Sequence, residues 1–381
     1  MPRNILISAG EASGDLYAAL LVDELRRIWP DAHFFGCTGP RMRRAGVETI
    51  VDTASLAVVG LVEVVAHIPR IYAEFRKLLA AARRRRPELA ILTDSPDFHL
   101  RLARKLHRQG IPIVYLVAPQ VWAWRKGRLP GMRRTLRHVL CIFPFEEEFF
   151  HRHGLPATYI GHPLVGMVKP TLPRVEFFRK HRLPPGRPLI TVLPGSRRGE
   201  AARHLPPLLD AIGRLYREQA ASFILPASAT AGVGFFEERI GGAPIQVIDG
   251  ENWDSIAHAD LALAASGTVT VEAALLGTPM VTYYKVTAAS WLIGRMLVRV
   301  PFYSMVNLIA GRAVVPELMQ SNFNGERLAA EAQRLLGDAG ARAQMRADLA
   351  AVAARLSPPS EPMARAAAII RDLMEGQLTH A

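Results

Sequence analysis

Several short stretches place reactive residue types beside strand-like runs. Between Asp260 and Lys285 an apolar run, Leu261 to Ala265, meets Ser266-Gly267-Thr268 and then a helix-like segment. That turn puts backbone N–H groups and two hydroxyls at a helix N-terminus, where unpaired amides and the helix dipole favour an anion such as phosphate. Glu272 falls about one turn further along the same helix. A carboxylate there would repel a close phosphate but accepts hydrogen bonds from the paired hydroxyls of a sugar, so the pair of features suggests a nucleotide. A helix cap beside a solvated carboxylate is the plain alternative.

Thr93-Asp94-Ser95-Pro96-Asp97-Phe98 ends another strand-like run with two carboxylates. Pro96 disfavours helix for Ser95, so Asp94 should end the strand and Asp97 should open the next helix. Asp94 then suits a general base that deprotonates an alcohol, and Asp97 a helix N-terminal charge, against the plain reading of a polar turn. Pro194-Gly195-Ser196-Arg197-Arg198-Gly199-Glu200 follows a third run. Glycine there allows close backbone approach, and Arg197 can grip a diphosphate with two donors, unless the arginines are only solvated. Gly10-Glu11-Ala12-Ser13-Gly14-Asp15 follows the first run and opens the first helix, where doubly wound sheets bind ligands. It matches neither a Walker A loop nor G-x-G-x-x-G, and a tight turn explains it equally. Asn307, Arg312 and Gln320 are polar residues in an apolar segment whose side chains can read a base or a sugar; alone they are uninformative.

These stretches need a scaffold, and the chain supplies an alternating one. Strand-like Ile5–Ala9, His33–Gly36, Leu89–Thr93 and Ile113–Val117 interleave with helical Asp15–Ile28, Pro69–Arg85 and Leu100–Gln109; Val139–Phe143 and Ala157–Ile160 follow. That is the pattern of a parallel sheet covered by helices on both faces. After a proline-marked linker at Lys169–Pro173 the pattern restarts with Leu189–Leu193, Leu205–Gln219, Ser222–Leu225, Val233–Ile240, Ile245–Ile248 and Trp253–His258. The expected class is α/β with two Rossmann-like domains. The expected domains are 1–165 and 174–355, with 356–381 a C-terminal helix, Met363–Met374, expected to return to the first.

The 381 residues are half hydrophobic, and Lys plus Arg outnumber Asp plus Glu by 47 to 34, for a net charge of +13. The excess predicts an anionic partner: nucleic acid, an acidic membrane or a phosphorylated substrate. Interleaved tryptophan and arginine in Pro119–Lys126 suit base stacking, yet no nucleic-acid reading module accompanies them, so nucleic acid is not expected. Two cysteines, Cys37 and Cys141, imply no disulfide framework and fit a reducing cytoplasm. No leader-like segment opens the chain, and the nearly uncharged run Leu56 to Ile68 is too short to span a bilayer. Val59, Leu61, Val62, Val65, Ile68, Ile71, Tyr72 and Phe75, flanked by Arg70, Arg76 and Lys77, instead read either as a core stripe or as a basic amphipathic membrane contact. No H-E-x-x-H, paired C-x-x-C or D-x-D occurs, so no metal site is expected and arginines and helix dipoles must neutralise any diphosphate.

Taken together, the chain resembles the lipid-A-disaccharide synthases, glycosyltransferases with two Rossmann-like domains facing a cleft (GT-B type). The resemblance is carried by Gly10–Asp15, Ala57–Glu63, Asp94–Phe98, Pro119–Arg125, Gly161-His162-Pro163, Pro194–Arg197, Ala265–Thr268 with Glu272, and Asn307–Arg312 with Glu317 to Gln320. It implies transfer of 2,3-diacylglucosamine from its UDP derivative to 2,3-diacylglucosamine 1-phosphate through a β-1,6 linkage. UDP is released, without metal or other cofactor, by a peripheral protein on the cytoplasmic face of the inner membrane. It implies Asp94 as the base on the acceptor's 6-hydroxyl, with Asp97 the alternative, and Glu11 and Ser13 near the reacting centre. Arg197, Glu272 and Asn307 then belong to the UDP-sugar site; Ser266, Gly267 and Thr268 form one wall of it, and Arg312 and Gln320 join it. A homodimer is a further implication. The nearest rivals are other two-domain UDP-sugar enzymes, such as a UDP-N-acetylglucosamine 2-epimerase. A non-catalytic module for anionic lipid would explain the charge but neither Asp94 nor Glu272.

Overall fold

The computed structural model describes residues 3–56, 61–298 and 300–376. The chain divides into two compact units, Met1–Pro163 with Leu356–Ala381, and Leu164–Arg355. In the first unit the described elements are β1 (Asn4–Ser8), α1 (Ala12–Ile28), β2 (His33–Thr38), α2 (Pro40–Arg44), β3 (Glu48–Asp52), α3 (Leu61–Arg85), β4 (Leu89–Thr93), α4 (Pro96–His107), β5 (Ile113–Leu116), α5 (Leu129–Thr135), β6 (His138–Cys141), α6 (Pro144–Arg152) and β7 (Ala157–Tyr159). The second unit runs α7 (Arg174–Lys180), β8 (Leu189–Leu193), α8 (Arg198–Gln219), β9 (Ser222–Ala227), α9 (Val233–Ile240), β10 (Gln246–Asp249), α10 (Asn252–Ala257), β11 (Leu261–Ala265), α11 (Thr268–Leu275), β12 (Met280–Tyr284), α12 (Ala288–Leu297), α13 (Met305–Ala310), β13 (Glu317–Met319), α14 (Gly325–Gly337) and α15 (Ala339–Leu356). The last helix, α16 (Pro362–Met374), belongs to the first unit.

Each unit is a Rossmann-like domain around one parallel sheet. The orders are β3-β2-β1-β4-β5-β6-β7 and β10-β9-β8-β11-β12-β13. Both reverse direction once, between β1 and β4 and between β8 and β11, and such switch points are where open α/β sheets bind ligands, beyond the strand C-termini. β4, β5, β6, β8 and β11 are buried along their whole length, which is why they read as unbroken apolar runs. The edge strands β3 and β13 carry Glu48, Asp52 and Glu317 and gave no such run.

Two helices are longer than their proline content predicts. α3 begins at Leu61 with Pro69 inside it, and α8 begins at Arg198 with Pro206 and Pro207 inside. Each ring removes one helical N–H donor, a cost that packing of the apolar faces of these long helices offsets. α16 starts at a proline, with the Glu361 carboxylate accepting from Ala364 N–H at 2.7 Å, and packs on α1. Its buried face is Met363, Ala366, Ala367, Ile370 and Leu373, and that of α1 includes Tyr17, Ala18, Leu21 and Leu25. Arg137 fastens its end by donating to the Leu373 carbonyl at 3.0 Å. Gly161, at φ +97°, lets the chain pass Pro358, since a Cβ would lie 2.4 Å from that ring.

Among the described residues no helix is long and apolar enough to cross a membrane. Of the expected membrane stripe, Val59 lies outside the described residues, as do the side chains of Leu61, Val62, Val65 and Ile68. Tyr72 is 60% exposed and Ile71 half-buried. Phe75 follows the core alternative of that stripe: half-buried, it packs edge-on to Phe98, 5.7 Å between ring centres, against the core of the first unit. It also stacks on exposed Tyr72, 6.4 Å between ring centres.

Candidate active site

In the first unit the chemistry gathers at the β1/β4 switch point. Ser8 of β1 is in register with Leu92 of β4, so the loops that follow leave the sheet side by side. Asp94 and Ser95 turn the chain with positive φ, 51° and 35°, before Pro96 starts α4. This left-handed pair costs free energy for residues with a Cβ, and its surroundings hold it in place. The Asp94 main-chain carbonyl receives the Tyr115 hydroxyl and faces Nδ1 of His99 at 3.1 Å. Nε2 of His99 lies 2.8 Å from the Ser8 hydroxyl. A carbonyl only accepts, so the His99 proton sits on Nδ1 and Ser8 donates to Nε2. Burial pushes the His99 imidazole down to about 4, which keeps it neutral.

The same turn aims the Asp94 carboxylate at the start of α1. Gly10 N–H donates to Oδ1 at 2.8 Å and Glu11 N–H to Oδ2 at 3.0 Å. Glycine is needed on the receiving side, because a Cβ on Gly14 would fall 1.7 Å from Oδ2 and one on Gly10 2.3 Å from Ser95 Oγ. Burial raises the Asp94 carboxyl to about 7, with the Gly10 and Glu11 amides opposing the shift. Its side chain is still 12% exposed, enough to meet a substrate atom. Glu11, whose N–H meets Asp94, is the exposed N-cap residue of α1, and Ser13 is exposed in the first turn. Asp15 is spent elsewhere: its buried carboxylate takes the N–H groups of Gly39, Arg41 and Met42, the N-terminus of α2.

Asp97 is not equivalent to Asp94. It is 66% exposed and clamped by Arg125, at 2.8 and 3.0 Å, and by Arg128. With guanidinium donors on its carboxylate, it fits a surface ion pair better than a proton acceptor. Those arginines belong to the tryptophan–arginine stretch, whose two indoles have separate duties. Trp124 lies under Arg125, 4.2 Å from guanidinium carbon to ring centre, whereas buried Trp122 donates to Glu146 at 3.0 Å. Burial raises the Glu146 carboxyl to about 8.

The second unit repeats the arrangement at its own switch point. Leu193 of β8 pairs with Ala264 of β11, so Gly195–Arg197 and Ser266–Thr268 emerge as neighbouring loops. Gly195, at φ +111°, leaves room for Glu200, whose Oε2 would sit 2.4 Å from a Cβ there. Arg197 is the exposed N-cap residue of α8, and Gly267 that of α11. The amides of Arg198 and Gly199 in α8, and of Thr268 and Val269 in α11, have no intrahelical acceptor, whereas Glu200 and Thr270 already donate to the Arg197 and Gly267 carbonyls. Ser266 holds the loop with its hydroxyl on the Tyr303 carbonyl, 2.9 Å, leaving oxygen lone pairs. Glu272, one turn into α11, takes Asn252 Nδ2 at 2.7 Å and Trp253 Nε1 at 3.0 Å, both on Oε2. Among the described residues no hydrogen-bond donor meets Oε1, and burial raises this carboxyl above its ordinary range.

Three residues expected at a nucleotide have partners within the chain. The Asn307 amide is 1% exposed and spent: Oδ1 accepts from Val314 and Val315 N–H at 2.7 and 3.0 Å, and Nδ2 donates to the Val315 carbonyl and Glu317 at 2.9 and 2.8 Å. All its hydrogen-bonding capacity shapes its own loop, so it orients the region and leaves no atom for a ligand. Arg312 pairs with Asp348 at 2.7 Å, and Gln320 Oε1 accepts from Val286 N–H at 3.0 Å. Sequence reasoning missed Ser8, His99 and Tyr115 behind Asp94, and Asn252 behind Glu272. It also missed the organising role of Glu317, which takes the N–H groups of Tyr303 and Ser304, both at 2.9 Å, as well as Asn307. His99, one turn beyond Asp94 in α4, was the available signal.

A family model described as Lipid-A-disaccharide synthetase matches residues 5–368. The chain belongs to the lipid-A-disaccharide synthase family. The lipid-A-disaccharide synthase of Solibacter usitatus (strain Ellin6076) is 71% identical over 380 residues, covering 100% of each chain. That of Koribacter versatilis (strain Ellin345) is 47% identical over 91% of this chain and 92% of its own. Members of the family are glycosyltransferases of lipid A biosynthesis that use a UDP-sugar and a lipid acceptor, and this chain is one of these enzymes. Its fold is the GT-B type. The S. aureus MnaA-UDP co-structure superposes with a TM-score of 0.67 at 13% identity, covering 99% of this chain and 98% of that one. Acinetobacter baumannii MurG gives 0.58 at 15%, covering 99% and 100%. At such identities the likeness concerns the fold alone. The rival epimerase reading gives way to the family match.

Proposed function

We infer that the chain joins UDP-2,3-diacylglucosamine to 2,3-diacylglucosamine 1-phosphate by a β-1,6 linkage, with Asp94 as the base. As the acceptor's 6-oxygen bonds to the sugar's C1, its proton passes to an Asp94 oxygen and the bond from C1 to the diphosphate breaks, releasing UDP with inversion. The charge growing on the diphosphate is met by Arg197 and by the first-turn amides of α8 and α11. Glu272 accepts the ribose hydroxyls through Oε1, and Ser266, Gly267 and Thr268 line the phosphate side. Glu11 and Ser13 sit where the acceptor approaches Asp94. The observation that carries this reading is Asp94 itself: a carboxylate at a switch point, gripped by two amides, with its proton affinity lifted to about 7.

Both substrates are acylated, so we place the enzyme on the cytoplasmic face of the inner membrane, with exposed Tyr72 and the neighbouring Arg70, Arg76 and Lys77 of α3 touching lipid. A homodimer is proposed from family resemblance and is read by sedimentation. The deciding experiment measures UDP release from UDP-2,3-diacylglucosamine with the acceptor saturating. Release by the wild type and its near-loss in Asp94→Asn is expected. No release, or full turnover in the variant, overturns the activity or the role of Asp94, respectively.

A further inference from the structure

A cavity of about 900 Å³ opens in the second unit beside α7 and the loop that leads into β8. It lies at the end of the sheet where the central strands β8 and β11 begin, opposite the end that carries the loops of the nucleotide site. Its described lining is heavily cationic: Arg174, Arg179, Arg182, Arg187 and Arg342 face one acid, Asp260. That acid is already engaged, accepting from Leu189 N–H at 2.9 Å and lying 3.5 Å from Arg174. Arg342 is also committed, donating to the Leu335 and Leu336 carbonyls. Among the described residues no side-chain partner meets the guanidiniums of Arg179, Arg182 and Arg187. Like charges held around one concavity repel unless an anion joins them.

The rest of the lining is apolar. Val175 is 80% exposed, Phe178 is half-buried under the Arg174 guanidinium at 4.5 Å, and Pro184 and Pro185 stiffen the rim. A free phosphate has no use for such a surface, whereas a phosphate carrying acyl chains uses both halves. We propose that this cavity binds the headgroup of an anionic membrane phospholipid, with Arg179, Arg182 and Arg187 on the phosphate and Val175 and Phe178 against the first carbons of the chains. Basic side chains beside an anionic bilayer each add to attachment, and the volume suits one headgroup. The site is separate from the residues assigned to transfer and needs no particular glycosyl substrate.

The test is flotation of the full chain with vesicles of phosphatidylglycerol in phosphatidylcholine, and with phosphatidylcholine alone, at about 0.1 M salt, where surface charges still act over roughly 10 Å. Wild type should float with the anionic vesicles. Arg179→Gln/Arg182→Gln/Arg187→Gln should partition at least tenfold less, and Val175→Ser should lose part of the binding while keeping every charge. UDP release from detergent-solubilised substrates should stay at the wild-type rate in both, which separates this site from α3 and from catalysis. Equal flotation of the triple variant and wild type overturns the proposal. So does inorganic phosphate that displaces the vesicles at millimolar concentration and raises the Tm of wild type but not of the triple variant, since the cavity would then take the free ion.

Discussion

The ring of His99 faces the main-chain carbonyl of Asp94 at 3.1 Å, and the contact holds the residue proposed as the base in a left-handed turn. His99 is therefore a positioning residue, and its removal should act on Asp94 before it acts on the fold. His99→Ala should lower kcat by roughly 10²-fold, the scale of a small misplacement of a reacting group, with the KM for the UDP-sugar little changed. It should also cost about 2–3 kcal/mol in urea unfolding, because Ser8 and a buried carbonyl lose a partner. Tyr115→Phe, which removes the second donor to the same carbonyl, should fall in the same direction and less far.

The pH dependence follows from Asp94. A base whose carboxyl titrates near 7 gives a kcat/KM that rises through about pH 7 and levels above it. Asp94→Asn should remove that limb and lower the plateau by roughly 10²–10⁴-fold. Stability should run the other way. The folded carboxyl is raised from 3.8 to about 7, so between those values the folded state holds a proton that the unfolded chain has lost. Stability should then fall as pH rises through that window, and the Tm of wild type relative to Asp94→Asn should decline between pH 5 and 8 on scanning calorimetry, at about one-half pH unit spacing.

Gly14 offers a probe that leaves every polar group in place. In Gly14→Ala the new methyl would lie 1.7 Å from Asp94 Oδ2, so the carboxylate must move. Turnover should drop by roughly 10²-fold although alanine favours the helix, and a crystal structure of the variant should show Asp94 displaced.

Glu272 separates binding from folding. Glu272→Gln keeps an oxygen for Asn252 and Trp253 but turns the proposed ribose acceptor into a donor. Its KM for the UDP-sugar should rise roughly tenfold with an unchanged Tm. Glu272→Ala should raise KM as much and also lower Tm, because two side-chain donors lose their acceptor.

Asn307 should behave as a structural residue. Asn307→Ala removes an amide that bonds Val314, Val315 and Glu317, and should cost about 2–3 kcal/mol in urea unfolding. Isothermal titration of UDP on the folded variant near 10 °C should give a Kd within about threefold of wild type, a difference of under 1 kcal/mol.

How much of this was legible follows from where each signal resides. Buried parallel strands are apolar along their length, so β4, β8 and β11 stood out, and with them the loops carrying Asp94, Arg197 and Ser266. Edge strands such as β3 need only one covered face and passed unnoticed. The difference between Asp94 and Asp97 was half visible through Pro96; the arginine clamp on Asp97 comes from residues on a different loop. Asn307 misled because a polar residue in an apolar stretch looks the same whether it meets a ligand or its own backbone. The stripe of Tyr72 and Phe75 stays open between core and membrane because apolar helical spacing is the same for both, and only the contact of Phe75 with Phe98 shows which of them meets the core.

The return of α16 to α1 has a consequence in time. On the ribosome the first unit's sheet is complete once β7 has emerged, but the apolar strip of α1 waits for a helix encoded after the whole of Leu164–Arg355. At ordinary elongation rates that wait is roughly 10–40 s. The nascent chain thus carries an uncovered hydrophobic strip while its second unit is being made, a natural target for a chaperone. The helix Pro362–Met374 acts as a clasp, so a stop codon just before Pro362 would disable the first unit rather than trim a tail.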